Sequence, residues 1–203
     1  AAQLLVNPTA AQKSAAGAGK TATTNDKSWR EMLRTPTFWS LYLQYACGAT
    51  AGLMIIGHIA KIVASQSGGA IQAGFLFVAV LAVFNASGRV IAGLVSDIIG
   101  RVASLMAVFM LQAVVMFFFD QFTSTAAFLV GAALVGFNYG ACLSLFPSTA
   151  ADLWGTRNLG LNYGILFTAW GVGGVFGPIL AGQIADATGS YQLAYQVAGV
   201  LLM

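Results

Sequence analysis

The sequence predicts an all-helical integral membrane protein, and three observations carry that prediction. The 203 residues are 58% hydrophobic and only 7% charged, against about 25% charged in a soluble domain. A soluble fold of this composition would aggregate. The apolar residues form long unbroken runs, where the strands of a membrane barrel would alternate. The lysines and arginines cluster before the first run, after the second and after the fourth, as they do in a chain that weaves through a bilayer.

Taken in order, residues 1–27 are small and polar, carry Lys13, Lys20 and Lys27, and read as a flexible linker. Ser28-Trp29-Arg30-Glu31 has the spacing of a capping box, which starts a helix. Trp29, Met32 and Leu33 share one face, and Arg30 and Arg34 serve the polar side, so residues 28–35 suit a short helix lying in the membrane interface. Pro36 ends it and opens the next helix. Apolar segments follow at about 37–64, 70–96, 102–119, 125–146 and 159–185, and a sixth starts near Tyr191. That last run is too short to span, and the chain does not begin with Met, so the sequence is expected to be part of a longer protein. The first apolar stretch follows about 35 polar residues, which is not the layout of a signal peptide.

Lys13, Lys20, Lys27, Arg30 and Arg34, then Arg101, then Arg157 all fall on one side of six crossings, and Lys61 alone falls near the other. The positive-inside rule makes the basic side cytoplasmic and places residues 1–35 there. The third segment is apolar almost throughout and is assigned to the lipid side. The first, second, fourth and fifth carry the Gly, Asn, Tyr, Gln and Thr residues expected inside.

Composition also narrows the function classes. The net charge of +3 reports orientation and gives no sign of nucleic-acid binding. His58 is the single histidine, and nothing has metal-ligand spacing. No nucleophile–base pair lies in any span, so neither an enzyme nor a cofactor is expected. Cys47 and Cys142 both lie in apolar spans and read as small packing residues rather than a disulfide.

The chain contains an internal repeat. Gly88-Arg-Val-Ile-Ala-Gly-Leu-Val-Ser-Asp-Ile-Ile-Gly100 closes the second segment, and Gly177-Pro-Ile-Leu-Ala-Gly-Gln-Ile-Ala-Asp-Ala-Thr-Gly189 closes the fifth. The glycines, the Ala-Gly pair and the aspartate align without a gap. Three segments separate the copies, so they finish on opposite faces of the membrane, the signature of an inverted three-plus-three repeat in secondary transporters. Arg89 in one copy is Pro178 in the other, so symmetry does not require Arg89. At its depth an arginine costs about 2.5–3.5 kcal/mol even on the mildest insertion scale. It is expected either to clamp an anion or to be satisfied by backbone carbonyls at a helix break. Asn85, four residues earlier, shares its face.

At Gly93-Leu-Val-Ser-Asp97-Ile-Ile-Gly100-Arg101 the chain resembles the major facilitator superfamily, apart from Val102, where a second basic residue is common. That resemblance implies the six-helix C-terminal half of a twelve-helix fold, preceded by its central cytoplasmic linker and partnered by an N-terminal half. Pro36-Thr-Phe-Trp39, Gly48-Ala-Thr-Ala-Gly-Leu-Met54, Ile56-Gly-His-Ile59, Asn158-Leu-Gly-Leu-Asn-Tyr-Gly164 and Phe167-Thr-Ala-Trp-Gly171 are similar to the oxalate/formate antiporter family and its monocarboxylate-transporting relatives. Arg89 then matches the arginine that grips a substrate carboxylate, and Phe167 and Tyr139 match aromatic walls of the pocket. Oxalate-specific members place a lysine three residues after the fifth-span aromatic, and here that position is Trp170.

The resemblance thus implies secondary transport of one small monocarboxylate, of the lactate, pyruvate or formate type, through a bacterial inner membrane. Proton coupling and anion exchange both remain open. Two rivals also remain open, dicarboxylate:monocarboxylate exchange and a transporter-like sensor that binds a carboxylate without moving it. Arg89, Asn85, Tyr139, Phe167 and Trp170 are the expected substrate residues. His58 is either a proton carrier or a structural hydrogen-bonding group, and Asp97, Gly100 and Arg101 are either a gating latch on the cytoplasmic face or plain structural loop residues.

Overall fold

Residues 26–71 and 74–203 are described by a computed structural model. Among the described residues the regular elements are all helical: α1 (Trp29–Leu33), α2 (Pro36–Gln66), α3 (Gly74–Ile99), α4 (Arg101–Phe118), α5 (Thr125–Trp154), α6 (Leu159–Thr188) and α7 (Gln192–Leu201), with a 3₁₀ turn at Phe119–Gln121. Five of them, α2 to α6, are long and apolar enough to cross a membrane.

Local chemistry sets the helix starts. The capping box forms as its spacing requires: the Ser28 amide donates to Glu31 Oε2 at 2.7 Å, and the Glu31 amide donates to Ser28 Oγ at 3.4 Å. Thr35 Oγ1 accepts from the Phe38 amide at 3.3 Å, and Pro36 takes the first turn of α2, where no amide donor is needed. Gly100 and Gly189, the last glycines of the two repeat copies, have φ of +91° and +71°. A side chain is strained in that region, which explains why both copies end in glycine.

The expected linker lies outside the described residues up to residue 25. Its last two residues are fastened to the turn between α5 and α6. The Lys27 amide donates to the Trp154 carbonyl at 3.0 Å, and the Lys27 carbonyl accepts from Asn158 Nδ2 at 3.1 Å and Asn162 Nδ2 at 3.0 Å. Asp26 Oδ1 accepts from the Arg157 amide at 3.1 Å.

The repeat is visible in the packing. α3 lies along α5, and α6 lies along α2, which are equivalent pairs when α2–α4 is superposed on α5–α7. Both seams are built on glycine. A Cβ at Gly88 would strike the Phe137 carbonyl of α5, and one at Gly177 would sit 2.5 Å from the Thr50 carbonyl oxygen of α2. Small residues let the helix backbones touch, which replaces the hydrophobic driving force that lipid does not supply. These glycines fall near the middle of their helices. Large apolar side chains gather instead at the two ends of the bundle. One cluster includes Ile55, Phe77, Phe119, Phe128 and Tyr195, and the other includes Phe38, Tyr45, Phe146 and Trp154.

One element differs from the sequence reading. α5 runs to Trp154, eight residues past the apolar segment that ends at Phe146, and passes through Pro147. The hydroxyls of Ser148 and Thr149 bond back to the carbonyls of Ser144 and Leu145 at 2.9 and 2.7 Å, supplying donors in the turn that proline interrupts. α4 turns one face outward through Val102, Met106, Met110 and Val114, in keeping with a lipid-side helix. Its single polar residue past the first turn, Gln112, points inward and accepts from Asn138 Nδ2 at 2.9 Å.

Candidate functional site

Arg89 sits 15 residues after Gly74 and ten before Ile99, about 22 Å and 15 Å from the ends of α3 at 1.5 Å per residue. That is close to the middle of a hydrocarbon layer about 30 Å thick. The glycine seam fixes it there. A Cβ at Gly140 would lie 2.8 Å from the Asn85 carbonyl carbon and 2.9 Å from its Cα, so the turn carrying Asn85 and Arg89 rests directly on α5. Arg89 Nε donates to Asn85 Oδ1 at 3.1 Å. Among the described residues the guanidinium has no anionic partner within salt-bridge distance, and its side chain is exposed on the bundle face.

Around it stand hydroxyls and aromatic rings. Arg89 is near enough to the Tyr139 and Tyr163 hydroxyls for its charge to act on both. The Tyr139 ring occupies space left by Gly52, where a Cβ would come within 2.7 Å of it. Its hydroxyl accepts from Trp170 Nε1. The Trp170 indole stacks on Phe167 with centroids 5.2 Å apart and planes 6° from parallel. Phe167 in turn meets Tyr163 at 5.6 Å and Tyr45 at 6.0 Å. The Tyr45 and Tyr163 hydroxyls are 3.3 Å apart and share one hydrogen bond, and Tyr45 is held flat on Phe146 at 4.0 Å.

The expected substrate residues Arg89, Asn85, Tyr139, Phe167 and Trp170 therefore form one connected patch, and Tyr163 and Tyr45 join it. Tyr163 was visible in the stripe Tyr163, Phe167, Trp170, Gly174, but helical spacing alone makes such a stripe core packing. Tyr45 lies on another helix, and no local signal marks it. Chemically the patch offers one fixed cation, several neutral hydroxyls and flat apolar walls. Such a site suits a small anion of low charge.

His58 belongs elsewhere. It lies 13 residues along α2 from Tyr45, about 20 Å away, with its ring 5.8 Å from Tyr191. Its Nδ1 is buried without a hydrogen-bond partner among the described residues. Asp97 and Arg101, two of the residues expected to form a latch, meet at the basic end of the bundle. Arg101 pairs with Asp97 at 2.6 Å, pairs with Asp152 of α5 at 3.1 Å and donates to Ser96 Oγ. Asp152 was not expected, because the apolar segment that located α5 stops short of it. Among the described residues no three His, Cys, Asp or Glu side chains come together as a metal site would require.

A bundle of five membrane-spanning helices, paired by an inverted repeat around a half-depth arginine, defines a multi-pass membrane protein of the secondary-transporter class. The chain belongs to the Major Facilitator Superfamily, whose family model matches residues 54–203. It is 34% identical over 179 residues to the oxalate:formate antiporter of Oxalobacter formigenes, a match covering 85% of this chain and 42% of that protein. It is 27% identical over 152 residues to the uncharacterized MFS-type transporter YhjX of Escherichia coli strain K12, covering 74% of this chain and 38% of that protein. The chain thus spans about two fifths of the length of these relatives.

Proposed function

We propose that this chain forms the C-terminal six-helix half of a secondary transporter that carries a small monocarboxylate through a bacterial inner membrane by alternating access. The observation that carries the reading is the Arg89 cation, which has no ion-pair partner among the described residues. It stands at half depth on an apolar helix, braced by Asn85, and its charge acts on the Tyr139 and Tyr163 hydroxyls. A buried or half-depth charge is normally neutralised, and a substrate carboxylate is the bidentate partner that a guanidinium fits. Trp170 leaves the patch with one positive charge, which favours a singly charged anion.

The anion binds between this half and an N-terminal half, and the two halves rock about it. Residues 1–35 form a cytoplasmic linker and interfacial helix. A proton moves with the anion, and His58, on the other side of the membrane from the basic cluster of Arg30, Arg34, Arg101 and Arg157, is its candidate carrier. A second reading, dicarboxylate:monocarboxylate exchange, draws on the relative named as an oxalate:formate antiporter.

The test uses the full-length protein that contains this chain, in vesicles. Stranding a desolvated charge partner costs about 2–5 kcal/mol, so Arg89→Ala is expected to lower uptake of labelled lactate or formate about 30-fold or more. Normal uptake by that variant would sink the clamp. Oxalate that competes as tightly as lactate would replace the monocarboxylate reading with the exchange reading.

A further inference from the structure

We infer that Trp170 is a positioning residue: by donating its indole N–H to the Tyr139 hydroxyl, it leaves the Tyr139 proton to be given to the substrate anion beside Arg89. The inference rests on the reading of Arg89 as an anion clamp and extends it to a second donor.

Hydrogen-bond capacity decides the direction. An indole N–H only donates, whereas a tyrosine hydroxyl has one proton and two lone pairs. Trp170 Nε1 takes one lone pair of Tyr139. The proton has no acceptor in Trp170, and none in the guanidinium of Arg89, which only donates. Arg89 stands on the α3 turn whose Asn85 backbone rests on Gly140, the residue after Tyr139, near enough for its charge to act on the Tyr139 hydroxyl. On this inference the hydroxyl proton and the guanidinium address the same space, and an anion there receives both. Accepting from the indole also polarises the O–H and makes it a better donor.

The indole is held in place to do this. It stacks on Phe167, which packs against Tyr163 and Tyr45. On its other side the Tyr139 ring is seated against Gly52. Because Trp170 brings no charge, the second donor adds direction without adding a second cation. The ligand class that fits is a monoanion with at least two acceptor oxygens, one for the guanidinium and one for the hydroxyl.

Trp170→Phe keeps the aromatic stack and removes the N–H. In the full-length transporter its KM for labelled formate or lactate is expected to rise about tenfold, the loss of a hydrogen bond to a charged group. Maximal rate should stay within about twofold, as for binding lost equally from ground and transition states. Tyr139→Phe should do the same or more. The double variant should be no worse than Tyr139→Phe alone, because Trp170 acts only through Tyr139. A KM penalty that multiplies in the double variant, or an unchanged KM in Trp170→Phe, overturns the assignment. If Trp170→Phe does not fold, the hydrogen-bond-sensitive indole band in ultraviolet resonance Raman decides: it must shift in Tyr139→Phe, and an unshifted band overturns the inference. Wild-type uptake by Arg89→Ala would instead defeat the proposed function itself. A requirement for Arg89 together with multiplicative penalties at 139 and 170 would defeat only the role of Trp170.

Discussion

Gly140→Ala tests whether the seam between α3 and α5 holds the arginine in place. The added methyl would lie 2.8 Å from the Asn85 carbonyl carbon, where ordinary contacts begin at 3.4 Å. The obstacle is helix backbone and cannot swing aside as a side chain does. The helices must therefore part by about 1 Å to restore normal van der Waals spacing. Overpacking of this kind costs about 1–3 kcal/mol, and a rigid obstacle places it at the upper end. Alanine returns about 1 kcal/mol through its helix propensity, leaving a net loss of about 2 kcal/mol. For a unit of this size that lowers the melting temperature by about 4–8 °C. Because Asn85 and Arg89 ride on the displaced turn, uptake should fall about tenfold or more. Gly164→Ala is the control, since among the described residues nothing beyond its own helix backbone and chain neighbours lies within 4 Å of a Cβ there. It should melt at or slightly above the parent temperature. A Gly140→Ala protein that melts and transports like the parent would show that the seam does not position Arg89.

Three further outcomes follow from the geometry. Asp152→Asn removes one partner of Arg101, and since both aspartates are more than half exposed, the stability loss should stay near 0.2–1 kcal/mol. In a background lacking Cys47 and Cys142, a cysteine at Ser144 should then label faster from the cytoplasmic side, and unchanged labelling would remove Arg101 from any latch. Asn138→Leu strands the buried Gln112 carboxamide, and hydrogen bonds between membrane helices average about 0.6 kcal/mol. The variant should lose about that much or more in thermal melts, and adding Gln112→Leu should recover it rather than double it. At α1 the Ser28 hydroxyl and amide hold the Glu31 carboxyl below its ordinary value of 4.5. A lowered folded pKa means that the capping box is intact above 4.5 and opens only as pH falls through the lower value. Amide exchange at Ser28, after correction for intrinsic rates, should therefore show unchanged protection from pH 7 to 5, and a loss of protection already at pH 6 would contradict the box.

Much of the fold was legible because a bilayer simplifies the code. Continuous apolar runs located α2, α3, α4 and α6 to within a few residues, and the aligned repeat accounts for the two equivalent helix pairs once the structure shows them. α5 escaped at its far end because an apolar run marks immersion in lipid, whereas the helix continues through Pro147 and Asp152 beyond it. The site divides in the same way. Arg89, Asn85 and Phe167 announce themselves by charge, by spacing and by resemblance. Tyr45, Tyr163 and Asp152 join only through contacts between helices far apart in sequence. His58 lay within a matching motif, but distance along α2 separates it from the patch, a fact that spacing within one segment does not reveal.

The fastening of Asp26 and Lys27 to Trp154, Arg157, Asn158 and Asn162 moves the mechanical anchor of the N-terminal segment. In sequence that segment is attached to α2 through Ser28–Pro36, but in space its last residues ride on the turn between α5 and α6. A pull arriving along it would load that turn before it loads α2. A distance label at Lys27 would accordingly track the ends of α5 and α6 that meet at that turn, and the covalent neighbour of α2 would report on helices more than a hundred residues away.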